Sequence, residues 1–481
     1  MSNSQLCNSG LVDPRHWLAL LPLPDDRPAY LGLAMAVRGM AMDGRIAVGA
    51  ILPSERALAL ALGLSRTTIT RAYGELVASG WARARQGSGT VVTLPSSARL
   101  PSLPLVPGLR TDAIDLSAAA GMAPSGTSAI IRRALDWLPA TLNSAGYEPF
   151  GAPHLRRLVA QWYDARGLAT HPGQVVITAG AMTAVSVALH TLLSPGQRIA
   201  VDSPTYPGAL GAIEAVRARA VSVPLVGGWD VPGWASVLRR SRPQAAYLIP
   251  DFHNPTGLLM PQSQREELSH LLRDHDCVAI VDETLAELDL DAVARPAPFA
   301  SFDPAAVSIG SLSKVLWGGI RIGWLRCPPE LLDAVRTRTV QLGLGASALD
   351  QLVATSYLEN PDAVRAEVVD RLRRARTEWQ RLLAERLPSW TMRSPAGGLA
   401  LWVELPRRAS TELALAASTH RLVLATGPLF SADRTHAHRV RLPLTLPVEV
   451  IPQAVDRLAA AWADVEAGVG GGGATPTALA L

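Results

Sequence analysis

The stretch SLSKVLWGGIRIGW, residues 311–324, decides how the rest of the chain is read. Its Lys314 is the only lysine among 481 residues, and every other permanently cationic side chain is an arginine. A guanidinium stays protonated, whereas an amine can lose its proton, attack a carbonyl and form a Schiff base. Ser311, Ser313 and Arg321 flank Lys314 with hydroxyls and a fixed cation, the groups that a phosphate beside an imine needs. The plain alternative is an exposed loop lysine. Against it stand the uniqueness of the residue and the surrounding spacing S-x-S-K-x-x-x-G-x-x-R-x-G.

Residues 311–324 resemble the pyridoxal-phosphate lysine segment of the fold-type I aminotransferases. Two departures stand out: Gly318-Gly319 where that family usually has Pro-Gly, and Trp317 where it has a small residue. The resemblance implies pyridoxal 5'-phosphate as cofactor, held by Lys314. Such a site also needs clustered N–H donors for the phosphate, a carboxylate for the pyridine nitrogen, a stacking partner and a donor to the ring oxygen.

Each need has a candidate at the end of an apolar run. In ITAGAMTAVSVAL, residues 177–189, the N–H groups of Gly180, Ala181 and Met182 open a helix and can hold a phosphate; read alone, such a turn serves packing as readily. DSPTYPG, residues 202–208, offers Tyr206 to stack on a ring, or simply a turn tyrosine. In DFHNPTG, residues 251–257, Asn254 can donate to the ring oxygen. VDE, residues 281–283, places Asp282 to pair with the pyridinium nitrogen and keep it protonated, or to cap a helix.

In order and spacing, these pieces together with the lysine segment resemble the aminotransferase fold over residues 114–467. The resemblance further implies that Tyr147 in YEPFG reaches the phosphate of a partner subunit's cofactor, hence a homodimer. It also implies that Arg441 in HRVRLPL binds a ligand carboxylate; a surface arginine on a strand is the alternative. Two residues after Asp282 the family usually places a tyrosine, and Thr284 stands here. A shorter donor favours ligand sensing over rapid turnover.

The fold class expected is α/β. Short apolar runs (QVVITAG, RIAVDSP, AAYLIPD, CVAIVDE, AAVSIGS) alternate with amphipathic helices from Ile114 onward, which argues a mostly parallel buried sheet. From Cys327 the texture changes to Arg- and Leu-rich helices, then GGLALWVEL and HRVRLPLT as strands, a smaller α+β subdomain.

Charge is distributed unevenly. Residues 28–93 hold seven arginines against Asp43, Glu55 and Glu75, a balance of +4, while residues 1–27 carry −1 and residues 94–481 carry +1. A basic segment on a nearly neutral body is the electrostatic mark of a nucleic-acid module. Its first helix is expected in YLGLAMAVRGMAM, with Leu31, Ala34, Met35, Val37 and Met42 inward and Gly44 as its stop. A second helix follows in ILPSERALALALGL, capped by Ser54, with Leu58, Ala61 and Leu62 buried and Gly63 ending it. A third, SRTTITRAYGELVASG, is capped by Ser65 and buries Ile69, Ala72, Tyr73, Leu76 and Val77, leaving Arg66, Thr67, Thr68, Thr70 and Arg71 polar. WARARQGSGTVV reads as two strands about a wing. A helical hairpin used only for packing is the alternative.

The pieces LPSERALA, LGLSRTT, AYGELVASGW and GSGTVV resemble the winged helix-turn-helix of GntR-type regulators over residues 28–93. The resemblance implies that Arg56, Arg66, Thr67 and Thr68 face operator DNA and that the wing, Gly87, Ser88 and Gly89, lies along or in the minor groove. Thr70 stands on the same face where some relatives use a further arginine. Residues 94–113 hold four prolines and read as a linker, able to span at most roughly 65 Å. Residues 1–27 show no periodicity, and the tail at 468–481 is low-complexity and read as disordered.

Cys7, Cys277 and Cys327 are an odd count in no metal-ligand spacing, no apolar window reaches membrane-span length, and no signal peptide is read, so a cytoplasmic location is expected. The combination of a GntR-type module with an aminotransferase-like body resembles the MocR family of bacterial regulators. It implies a pyridoxal-phosphate-dependent regulator that senses an amino-acid or amine effector by aldimine exchange at Lys314, as a head-to-tail homodimer with little or no transaminase turnover. Three alternatives remain: an active aminotransferase with an accessory DNA module, a regulator sensing the cofactor itself, and a repressor whose site is vestigial.

Overall fold

A computed structural model describes residues 28–42, 46, 50–85, 89–93 and 113–468. The N-terminal unit consists of α1 (Ala29–Met42), α2 (Glu55–Leu62) and α3 (Arg66–Ala78), then an antiparallel pair, β1 (Ala82–Arg85) and β2 (Gly89–Val92). Ser54 Oγ accepts the Ala57 N–H at 3.2 Å and Ser65 Oγ accepts the Thr68 N–H at 3.1 Å, so both expected caps form. Gly63 closes α2 at φ 66°, a left-handed turn that a Cβ would oppose.

The buried stripe of α1 is Leu33, Ala34, Val37, Met40 and Ala41, with Leu31 and Met35 only half-buried. The periodicity is helical as expected, but the inward arc is rotated, because it faces Leu58, Ile69 and Leu76 of the other two helices. On α2 only Leu58 is fully buried, with Ala61 and Leu62 at the rim. Val77, expected inward, is 40 % exposed: it lies one step of about 100° past Leu76 and leaves the buried arc. Residues 1–27, Gly44, the Met42 side chain, wing residues Gly87 and Ser88, linker residues 94–112 and tail residues 469–481 lie outside the described residues.

The body begins with β3 (Ile114–Asp115), which pairs in parallel with β13 (Leu422–Val423). Its central sheet has seven strands: β4 (Val175–Thr178), β5 (Arg198–Ser203), β6 (Arg219–Pro224), β7 (Ala245–Leu248), β8 (Val278–Asp282), β9 (Val307–Ser311) and β10 (Gly323–Arg326). The order is β4-β10-β9-β8-β7-β5-β6, parallel from β9 to β6, with β10 running antiparallel between β4 and β9. Five of these strands are the apolar runs expected. The other two escape a periodicity reading: β6 is only half-buried, and the short β10 is the tail of the lysine segment itself.

Helices α4 (Pro153–Asp164), α5 (Ala181–Leu192) and α6 (Ala348–Leu358) pack around this sheet. The 25-residue α7 (Asp362–Arg386) then leads into a second sheet of order β11-β12-β15-β14, formed by β11 (Thr391–Met392), β12 (Ala400–Glu404), β14 (Ala425–Thr426) and β15 (Arg439–Pro443), and α8 (Ile451–Ala467) packs against α7. This is the smaller α+β unit expected after Cys327. Among the described residues no helix is long and apolar enough to cross a membrane.

Gly151 and Gly196 separate two costs of a left-handed backbone. Both have positive φ, 96° and 86°, but a Cβ at Gly151 would stand 2.1 Å from Ile177 Cγ1, while one at Gly196 meets nothing within 4 Å. Gly196→Ala should therefore cost about 1 kcal/mol of conformational strain. Gly151→Ala must also displace β4 and should lower the thermal midpoint several times further, as differential scanning calorimetry would record.

Candidate functional site

Parallel strands end on one edge, where α/β folds gather ligands. Asp282 ends β8 and Ser311 ends β9, while Gly323 starts β10 opposite both Thr178 and Ser311. Lys314 follows β9, and its Nζ donates to the Ala119 carbonyl at 3.1 Å. Burial lowers the pKa of this amine from the ordinary 10.5 to about 8; the Arg441 charge pushes the same way, Asp282 opposes, and Arg321 adds a smaller push.

Asp282 is buried with both oxygens held. Tyr247 Oη donates to Oδ2 at 2.5 Å and the Thr284 N–H donates to Oδ1 at 3.0 Å. Burial first, and then Asp282, keeps the Tyr247 phenol far above its usual range, so it remains a donor to the carboxylate. Tyr247 was not legible as a site residue, since it sits inside the apolar run AAYLIPD. Thr284 contributes its backbone to Asp282, while the residue itself borders a separate cavity. Tyr206, expected as a stacking partner, caps the helix Pro207–Ala215; its phenol is raised by burial and by Asp282, against the pull of Arg441 and Arg321. Gly208 leaves room for its ring, since a Cβ there would lie 2.5 Å from Tyr206 Cε1.

The phosphate candidates meet at the start of α5. Ala181 and Met182 occupy its first turn, where N–H groups have no intrahelical acceptor. Gly180 differs from expectation: its N–H donates to the Thr178 carbonyl at 2.8 Å and so is turned away. Its contribution is the missing side chain, for at φ 91° a Cβ would lie 2.4 Å from Arg321 Nη2. Gly323 behaves alike, with a Cβ 2.6 Å from the Ala181 nitrogen. Ser311 Oγ accepts the Ser313 N–H at 3.1 Å and donates to the Ile322 carbonyl at 3.0 Å. A helix N-terminus, two hydroxyls and a guanidinium kept close by glycines fit a dianionic phosphate. Gly319 has a similar task, because a Cβ there would lie 2.5 Å from the Trp317 ring, whereas one at Gly318 would meet nothing within 4 Å.

Arg441 is not a surface arginine: it is 0 % exposed on β15 and donates to the Ser117 carbonyl, with Phe430 below its guanidinium at 5.1 Å. Burial lowers its pKa to about 10, against the pull of Tyr206 and Asp115. The segment Asp115–Ala119 thus touches both Lys314 and Arg441, a strap that no motif announced. Asn254 lies half-buried in the turn after β7. Tyr147 is 69 % exposed and is not among the groups acting on Lys314 or Tyr206.

On the N-terminal unit, Arg56, Arg66 and Thr67 are exposed and Thr68 is partly so. Glu55 reaches across from α2, 3.6 Å from Arg66 Nε, and accepts the Thr70 hydroxyl at 2.8 Å. The Thr70 hydroxyl donates within the protein, while the residue itself is exposed. Arg71 lies over the Tyr30 ring at 4.0 Å, and of the wing only Gly89, at φ 87°, is described.

Residues 115–458 match the family of class I and II aminotransferases, and residues 29–92 match the bacterial regulatory proteins of the gntR family. The chain is 28% identical to the HTH-type transcriptional regulator YdcR of Escherichia coli, over 84% of this chain and 92% of that protein. It is 30% identical to the 2-aminoadipate transaminase of Thermus thermophilus, over 65% and 79% respectively. The crystal structure of the α-aminoadipate aminotransferase LysN of Thermus thermophilus superposes with a TM-score of 0.68 at 27% identity, covering 73% of this chain and 93% of that one.

The lowered Lys314 pKa sets a pH profile. Only the neutral amine attacks an aldehyde, so the rate at which the apoprotein captures pyridoxal 5'-phosphate, followed by imine absorbance, should rise with pH and level off above about 8. A rise that continued toward 10.5 would mean that burial leaves this amine unperturbed.

Proposed function

The chain belongs to the class I and II aminotransferase family and carries a gntR-family DNA-binding module ahead of that body, and on this premise we propose a transcription regulator whose operator affinity is set by an amine or amino acid bound at Lys314. The observation that carries the reading is the single lysine, its amine lowered to about 8 between Arg441, Asp282 and Arg321. Pyridoxal 5'-phosphate, when bound, supplies an aldehyde carbon for which Lys314 and an incoming primary amine compete. Ala181, Met182, Ser311, Ser313 and Arg321 would hold its phosphate, Asp282 its ring nitrogen, Tyr206 its face and Asn254 its ring oxygen.

Arg441 would take the effector's carboxylate, being already buried beside Lys314 with its fork fixed on Ser117. Once released, the Lys314 amine stays in a pocket where burial and two guanidiniums disfavour a further cation, so exchange changes the charge balance under the Asp115–Ala119 strap. An effector moves the equilibrium only by its differential affinity for the two arrangements. The unit that reads operator DNA spans residues 28–93, the linker 94–113 and the sensing body 114–467, with a tail at 468–481. The working form is a cytoplasmic head-to-tail homodimer in which Tyr147 completes the partner's site, in keeping with its exposure in the single chain.

A second reading, an active aminotransferase, is favoured by the 30% identity to a named transaminase. Keto-acid production at steady state, lost in Lys314→Ala, would establish it. For the regulator, borohydride reduction of the holoprotein should fix the cofactor on Lys314, and Lys314→Ala should abolish the effector's influence on operator binding. If cofactor alone gives the full response, the effector has no part. Arg66→Ala should weaken operator binding by about 1–3 kcal/mol in a gel-shift titration if the contact is to a base; unchanged affinity would mean that the reading face has been misassigned.

A further inference from the structure

Asp282 and Glu283 leave β8 on opposite faces, as successive residues of an extended strand do. Asp282 turns to Lys314. The Glu283 N–H still extends the ladder, to the Ile309 carbonyl at 2.8 Å, and its side chain is directed beneath the sheet edge. There it borders a cavity of about 280 Å³ walled by Leu158, Trp162, Leu312, Val315, Trp324 and Tyr357.

Glu283 is 2 % exposed; the Tyr163 hydroxyl acts on it as a donor and pulls its pKa down, but among the described residues neither carboxyl oxygen has a partner at full hydrogen-bond geometry. Its one ion pair, 3.4 Å to Arg166 Nη2, is out of line for a hydrogen bond, and Arg166 is shared with Asp251 at 3.2 Å while lying over the Trp162 ring. A buried acceptor left in this state costs about 1–3 kcal/mol, so a donor arriving through the cavity has a place prepared for it.

The surrounding charge defines the ligand. Arg166, Arg265, Arg295 and Arg365 already face Asp251, Glu283 and Glu287, so a further cation gains nothing and no free anion cradle is present. Burial, more than the opposing Arg166, raises the Glu283 pKa, which also disfavours a role as a fixed anion. The remaining wall is apolar and aromatic. A dry cavity of about 150 Å³ accepts benzene, so this one has room for a two-ring compound.

We infer that the cavity beneath Glu283 is a second ligand site, taking a small uncharged aromatic molecule whose single N–H or O–H donates to that carboxyl. The cavity also touches Ser311, which the effector reading places at the phosphate, and Thr284, whose N–H holds Asp282, so imine absorbance is read beside indole binding to tell failure of one reading from failure of the other. Its occupant would touch Leu312 and Val315 on either side of the lysine. It would also touch Tyr357 of α6, just before Arg365 of α7, where the chain passes toward the second sheet. A molecule there would press on the cofactor loop and on the joint between the two sheets together.

Isothermal titration of the full-length holoprotein with indole and with 1-methylindole tests this. Indole should bind saturably at one site per chain, and 1-methylindole, lacking the N–H, at least tenfold more weakly. Leu158→Trp, which fills the cavity, should abolish indole binding while leaving imine absorbance unchanged. Absence of saturable indole binding, equal binding of the two probes, or indole binding that survives in Leu158→Trp would each overturn the site. The comparison of probes on the unaltered protein needs no variant to fold.

Discussion

The balance of charge around one buried amine governs this molecule. Lys314 is drawn down by burial and by Arg441 and Arg321, and held back by Asp282. Asp282 stays in place because Tyr247 and the Thr284 backbone clasp its two oxygens. Arg321 stays close because Gly180 has no side chain. Arg441 is held by the Asp115–Ala119 strap, whose own shape comes from Asp115 accepting the Ser117 N–H and hydroxyl at 2.7 and 2.6 Å. A low local dielectric makes each of these groups felt strongly by the rest.

The fold serves that balance by its strand order. Placing β10 antiparallel between β4 and β9 brings Gly323 against both Thr178 and Ser311, so the start of α5 and the serines that follow β9 meet on one edge. The same edge divides by alternation. Asp282 acts on the Lys314 amine and Glu283 borders a largely apolar cavity, and the loop bearing Lys314 forms a wall of that cavity too. Two neighbouring carboxylates thereby meet different fates: Asp282 has a well-aligned donor on each oxygen, while Glu283 has none at full hydrogen-bond geometry.

Much of this was legible in the chain. A unique lysine, hydroxyls at 311 and 313, and small residues at a strand-to-helix turn carry chemistry that follows from residue type and spacing. Cap residues Ser54 and Ser65 were equally readable, because a cap is a local hydrogen bond. Contacts set by register between distant segments were not. Tyr247 reaches Asp282 only because β7 lies beside β8, and nothing in AAYLIPD marks that tyrosine off from its apolar neighbours. The direction of the Gly180 N–H, the rotation of the inward arc of α1 and the exposure of Val77 likewise depend on what each element faces. Arg441 looked equally at home on a surface until β15 was seen to bury it.

Glu55 holds a hydroxyl and a guanidinium of the following helix at once. Whatever side chain stands at position 66 is thus aimed by a residue on another element, not by its own rotamer preference alone. Replacing Arg66 takes one of its two partners from Glu55, which is left with the Thr70 hydroxyl in the first turn of α2. Changes at 55, 66 and 70 should then travel together across relatives, a three-position covariation set by one shared carboxylate.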